Sequence, residues 1–282
     1  MDPPAYSQSP VPIPDSIPNP ELSDIDLVIA IDFGTTYSGV AYRFLTAVDK
    51  MSANLKPMDI NRQIEVVTLW PGKEAHSHEK APTVLAYHSD GRVKEWGFKV
   101  NENHKIRVAH FKLGLQRVSD HYKELDEQFS ALGDFLANPS WKHQSLPTKK
   151  AVDFTADFLT CIRKYAEQHL ESNANIRPIL GGSKVSYIIT VPAIWEEGAK
   201  QFTRDAALRA GIPETNLVFI AEPEAAALYC ATISQELDLL KGDRFVICDA
   251  GGGTVVCPSL RQTLSVGSYL IRSLVSGPLF CY

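Results

Sequence analysis

The chain has 282 residues, 44% hydrophobic and 22% charged, enough apolar material for one large domain or two lobes. A formal net charge of −5 gives no basic footprint for nucleic acid and no polybasic anchor for a membrane, leaving small molecules and proteins as the expected partners. No stretch reads as a bilayer span or secretory leader, and five cysteines without a CxxC pair form neither a disulfide framework nor a metal motif; a reducing, cytoplasmic setting follows, with the thiols as small buried hydrophobes.

Residues 1–25 open as "MDPPAYSQSPVPIPDSIPNPELSD", too rich in proline and polar residues to offset the entropy of ordering, and a disordered tail is expected. Order begins with the β-branched run Leu27 to Ile31, which ends in "DFGTTYSG" before a second strand-like run, Val40 to Phe44. A strand, turn, strand unit is implied. It differs from a Walker loop, which leads from strand to helix, and no GxxxxGK[ST] occurs in the chain.

Further strands are expected at Glu65 to Leu69 and Thr83 to Tyr87. His76 and His78 in "HSHE" have no second ligand pair and read as a surface loop. From Ala151 to Leu170, Phe154, Phe158, Ile162, Ala166 and Leu170 fall on one helical stripe. "VSYIITV" at 185–191 reads as a buried strand closed by Pro192, and "EEGAKQFTRDAALRAG" as a helix stopped by Gly211 and Pro213. A short strand at Leu217 to Ile220 precedes the helix-like "EPEAAALYCATISQEL". "RFVICDAGGGT", at 244–254, then repeats the opening theme of strand, aspartate, glycine and threonine.

Such turns suit phosphate. Glycines allow close backbone approach, so successive N–H groups can converge on phosphate oxygens while threonine hydroxyls add donors. An aspartate at each strand end can hold magnesium, which keeps most of its waters and takes only one or two carboxylates.

"AIDFGTTYSGVAY" resembles the first phosphate motif of the actin-like ATPase superfamily, and "FVICDAGGGTV" the second. Between them, "YIITVPAIWEEGAKQFTRDAALRAGI" and "LVFIAEPEAAALYC" resemble the connecting segment of the seventy-kilodalton heat-shock proteins, in wording closest to their divergent twelve-type branch. The resemblance implies an α/β, actin-like ATPase (ribonuclease H-like) fold, a mixed sheet flanked by helices, with the first lobe complete and the second partial. It divides the chain into the tail at 1–25, a first lobe at 26–240, the start of a second lobe at 241–256 and a non-matching segment at 257–282.

The resemblance also implies ATP and magnesium as ligands. Asp32 and Asp249 would hold the metal, Gly34, Thr35, Thr36 and Tyr37 would line the β- and γ-phosphates from one side, and Gly251, Gly252, Gly253 and Thr254 from the other. Glu222 stands at the family's carboxylate that places metal and attacking water, and Lys112 in "HFKLGLQ" is the nearest candidate for its charge-stabilising lysine. Against these roles stand plainer ones: turn-forming aspartates, a helix N-terminal carboxylate at Glu222 and a solvated side chain at Lys112.

The family places a second aspartate two residues after the threonine of "GGGT", where this chain has Val256. From 257 onward the expected continuation is missing, so a truncated second lobe with weak or absent ATP turnover is expected. The alternative is a divergent strand pair completing the fold. Three functions stay open: an ATP-binding protein of the heat-shock seventy type with protein clients or co-chaperones, a non-catalytic interaction fragment, and a small-molecule kinase of the same superfamily.

Overall fold

The computed structural model describes residues 25–46, 64–116, 142–173, 176, 184–233, 244–250, 255–256, 259–262 and 271–274. Apart from Ile25, which is buried, the expected N-terminal tail lies outside them. The elements of the main sheet are β1 (Leu27–Asp32), β2 (Tyr37–Phe44), β3 (Glu65–Val66), β4 (Lys80–Pro82), β8 (Val185–Val191) and β9 (Leu217–Ala221). Between β4 and β8 come β5 (Val84–Tyr87), β6 (Val93–Trp96), β7 (Arg107–Ala109) and the long helix α1 (Ala151–Ser172). Helix α2 (Glu197–Arg209) joins β8 to β9, and α3 (Glu222–Ile233) follows β9 without a break.

The sheet runs β3-β2-β1-β8-β9, with β4 also on β2. Strand β1 pairs antiparallel with β2 and parallel with β8, which pairs parallel with β9, so the sheet is mixed as expected. Its centre is β1, where Leu27, Ile29 and Ile31 are buried and alternate with half-buried neighbours. Position matters here: a central strand delivers Asp32 at the end of the most completely paired part of the sheet. Strands β5, β6 and β7 make a second, antiparallel sheet in the order β6-β5-β7.

Helix α1 begins where the Asp153 carboxylate accepts the Lys150 N–H at 2.7 Å, covering a backbone donor that the first turn leaves open. Its stripe of Phe154, Phe158, Ile162, Ala166 and Leu170 is buried throughout. Each large side chain contributes about 1.5–3 kcal/mol through the water it sheds. Phe158 meets Phe33 at 6.1 Å, Phe111 at 5.8 Å and Trp96 at 6.0 Å between ring centroids, so α1 supplies the floor beneath the turn after β1. Tyr187 of β8 donates to Glu167 at 2.5 Å, and Arg163 grips the same carboxylate at 2.6 and 2.7 Å, fastening sheet to helix. Helix α2 ends as expected: Gly211 has φ +86°, a left-handed value that disfavours any side chain.

The expected strand at 65–69 is shorter, because the Thr68 carbonyl accepts the His78 N–H at 2.7 Å and leaves the β2 edge. His78 lies against the Phe98 ring at 4.8 Å, and among the described residues no three His, Cys, Asp or Glu side chains gather to hold a metal. Nor do the described residues include a helix long and apolar enough to cross a membrane.

Near the C-terminus lie β10 (Arg244–Val246), β11 (Asp249–Ala250), β12 (Val255–Val256), β13 (Ser259–Gln262) and β14 (Ile271–Leu274). Strands β11 and β12 pair antiparallel, Asp249 opposite Val256, and β13 joins β10 to β14 in a separate three-stranded sheet. Strand β10 therefore has a neighbour drawn from the segment that matches no motif.

The thiols divide. Burial pushes Cys161 up to about 12, with the nearby Asp157 charge adding to the effect, whereas Cys248 is exposed, contrary to the expectation of uniformly buried cysteines. At pH 8 an alkylating reagent is expected to label Cys248 in the native chain and Cys161 only after unfolding, because the thiolate is the nucleophile. Peptide mass spectrometry before and after denaturant checks this; native labelling of Cys161 at the rate of Cys248 contradicts it.

Candidate functional site

The turn after β1 is built by close backbone contact. A Cβ on Gly34 would lie 2.0 Å from the Tyr37 carbonyl oxygen, so only glycine permits this path. The Gly34 N–H donates to Ser38 Oγ at 3.1 Å, and Ser38 Oγ shares a hydrogen bond with Thr83 Oγ1 at 2.8 Å. The Thr83 N–H in turn donates to the Thr36 carbonyl at 2.7 Å. Ser38 and Thr83 are both buried, and they bind the turn to the junction of β4 and β5. Tyr37 is exposed, while Gly34, Thr35 and Thr36 are half-buried.

Asp32 does not cap its own loop. Its Oδ1 accepts from Thr190 Oγ1 at 2.9 Å and its Oδ2 from Lys80 Nζ at 2.6 Å. Thr190 reaches it because β8 lies beside β1 in parallel register, Ile31 opposite Ile189. The carboxylate remains 41% exposed, open to solvent beside the turn.

Lys112 is not solvated. Its side chain is 3% exposed, and Nζ donates to the Phe33 carbonyl at 2.5 Å and to Glu222 Oε1. The Phe33 and Trp195 rings lie 5.4 and 5.6 Å from the ammonium and wall it off from water. A short 3₁₀ turn at Phe111–Leu115 carries the lysine inward. It starts at His110, the one non-glycine residue among those described with a left-handed backbone, φ 59°. Burial and the Arg107 charge hold the His110 imidazole below its ordinary range. Backbone strain of this kind persists only where surrounding packing fixes it.

Glu222 opens α3 directly at the end of β9, where the helix N-terminus favours negative charge. Glu224, half-buried on the same turn, has its carboxyl raised by burial. Residues 32–33, 112 and 222 thus meet where the strands β1 and β9 end. Thr190 and Lys80 join them unforeseen; a polar residue near the end of the buried strand "VSYIITV" was the one local signal for the former. Asp249 is placed by its backbone, in β11, while Gly251, Gly252, Gly253 and Thr254 lie outside the described residues.

The described half of the site suits a magnesium-bound polyphosphate. It offers a solvent-facing hard oxygen ligand at Asp32, a turn that admits no side chain at Gly34 and a buried ammonium at Lys112.

No family model matches the chain. It is 28% identical over 242 residues to heat shock 70 kDa protein 12B of Homo sapiens, covering 83% of this chain and 32% of that protein. Heat shock 70 kDa protein 12A of Mus musculus is 29% identical over 222 residues, covering 77% of this chain and 30% of that protein. Over these stretches the chain is similar to heat shock 70 kDa proteins. The same likeness reaches bacterial relatives, with 27% identity over 257 residues to the chaperone protein HscA homolog of Laribacter hongkongensis, 88% of this chain and 34% of that one. The chain spans about a third of the length of the heat shock 70 kDa relatives it matches.

Proposed function

We propose that this chain is an ATP-binding domain of the heat shock 70 type, taking ATP or ADP with magnesium at the end of the sheet where β1 finishes and α3 begins. The observation that carries the reading is the joining of Lys112 and Glu222 at the Phe33 carbonyl, one residue from Asp32. A buried lysine held by a carboxylate beside an exposed aspartate is costly to build for stability alone. It suits a reaction that needs placed charge more than covalent participation.

In this reading Asp32 holds the hydrated metal, and Gly34, Thr35, Thr36 and Tyr37 line the phosphates. The motif resemblance assigns the remaining metal and phosphate contacts to Asp249, Gly251, Gly252, Gly253 and Thr254. Magnesium held by Asp32 would supply charge neutralisation for the phosphates. Thr190 keeps the Asp32 carboxylate turned by holding Oδ1. Lys112 presents a fixed positive charge, and Glu222 orients the attacking water while pairing with that lysine. The heat shock name of the 12A and 12B relatives and the word chaperone in that of the HscA homolog support protein clients or co-chaperones as further partners.

Equilibrium titration with fluorescent ATP tests this. Saturable binding strengthened by magnesium is expected, and Asp32→Asn is expected to weaken it roughly tenfold with the melting temperature unchanged, since one charged ligand is lost. Absence of saturable binding overturns the reading and leaves a non-catalytic interaction module. ATP-dependent phosphorylation of a sugar would instead establish the kinase reading.

A further inference from the structure

We propose that Lys80 is a positioning cation of this site: its ammonium occupies the face of Asp32 that a divalent cation needs, and metal loading requires it to withdraw. The proposal rests on the reading of Asp32 as the metal carboxylate, but it concerns a lysine that no motif singles out.

The geometry is a single rung of the sheet. Asp32 of β1 stands opposite Gly39 of β2, and Gly39 stands opposite Lys80 of β4. Residues in register on neighbouring strands share a face, and two strand spacings put the Asp32 and Lys80 backbones roughly 10 Å apart. A lysine can span that gap only if nothing stands between. Gly39 leaves it clear: a Cβ there would lie 3.3 Å from Lys80 Cγ and 3.9 Å from Lys80 Cε, so the lysine stem crosses directly over the glycine. It ends with Nζ 2.6 Å from Asp32 Oδ2, while Thr190 holds Oδ1. Both oxygens of the proposed metal ligand are therefore engaged by the chain's own donors.

The two Asp32 contacts differ in how readily they yield. Thr190 is neutral and can keep its bond while the carboxylate holds a metal. Lys80 cannot remain beside an incoming dication without like-charge repulsion. With Lys80 and Asp32 exposed at 50% and 41%, the pair is of the weak, solvent-screened kind that opens at small cost. Lysine suits such a role, being a compact charge on a flexible stem rather than a fixed fork. Its withdrawal also places an ammonium beside the turn that would line the phosphates. The chain therefore carries its own competitor for the metal, and its divalent-cation requirement is higher than its carboxylates alone would set.

Manganese alone, without nucleotide, tests this by electron paramagnetic resonance of the free ion. Lys80→Gln is expected to tighten manganese binding about fivefold, because the metal no longer has to open a solvent-screened pair of unit charges. Lys80→Arg is expected to behave as the unaltered chain. Adding Asp32→Asn is expected to abolish the difference in manganese affinity between the Lys80→Gln variant and the parent. A lysine serving only the fold would lower affinity when lost, so unchanged or weaker manganese binding by Lys80→Gln overturns the proposal. Manganese uptake by neither form overturns it as well. If manganese binding tightens as expected while ATP titration shows no saturation, the nucleotide reading falls and the role of Lys80 stands.

Discussion

Glu222→Ala is expected to cost about 3 kcal/mol of stability, because it strands a buried ammonium. Lys112 is 3% exposed, and without Glu222 it keeps the Phe33 carbonyl as its remaining named acceptor, a neutral one. For a chain of this size each kcal/mol moves the melting temperature by roughly 2–4 °C, so a fall of about 6–12 °C follows. The double substitution Glu222→Ala with Lys112→Met is expected to recover most of this loss, since an apolar side chain of similar length suits the Phe33 and Trp195 rings better than an unpaired charge. Glu222→Gln separates the hydrogen bond from the charge: its amide oxygen still accepts from Lys112, so it should melt within a few degrees of the parent. Melting curves check all three. A Glu222→Ala melt equal to the parent's would show that the pair does not bear on folding.

Gly34→Ala is the second large effect. The added Cβ would lie 2.0 Å from the Tyr37 carbonyl oxygen, a backbone atom that cannot swing aside without opening the turn. Opening it breaks the chain of bonds from the Gly34 N–H through Ser38 to Thr83. Ser38 and Thr83 are buried, so their hydroxyls would lose partners where water cannot replace them. A loss of about 3 kcal/mol is expected, along with at least tenfold weaker ATP binding. Gly198 supplies the contrast. It lies in the first turn of α2, nothing approaches its Cβ position within 4 Å, and Gly198→Ala is expected to be neutral or to stabilise by up to about 1 kcal/mol. Denaturant unfolding of both variants checks the pair. Equal stabilities would mean that the Gly34 contact relaxes freely.

The elements with strong local patterns were legible. Strand 185–191 appears with its expected bounds, and the stripe Phe154, Phe158, Ile162, Ala166 and Leu170 is the buried face of α1. Gly211 ends α2 because a positive φ there is local backbone chemistry. Short strands were missed: β4, β6 and β7 have three or four residues each, too few for alternation to stand out. Their pairing comes from neighbours distant in the chain.

By itself the sequence determined that a buried strand ends in Asp32 and a glycine turn, that a helix starts at Glu222, and which family the three motifs indicate. These are contiguous signals, carried by backbone preference and side-chain period within a dozen residues. Only the tertiary structure decided that Lys112 leaves solvent to join Glu222, 110 residues away, and that Lys80 crosses Gly39 to reach Asp32, 48 residues away. Those meetings depend on strand order and register, which long-range pairing fixes: a charge finds its partner across the sheet, while its neighbours in the chain read the same whether it is buried or exposed.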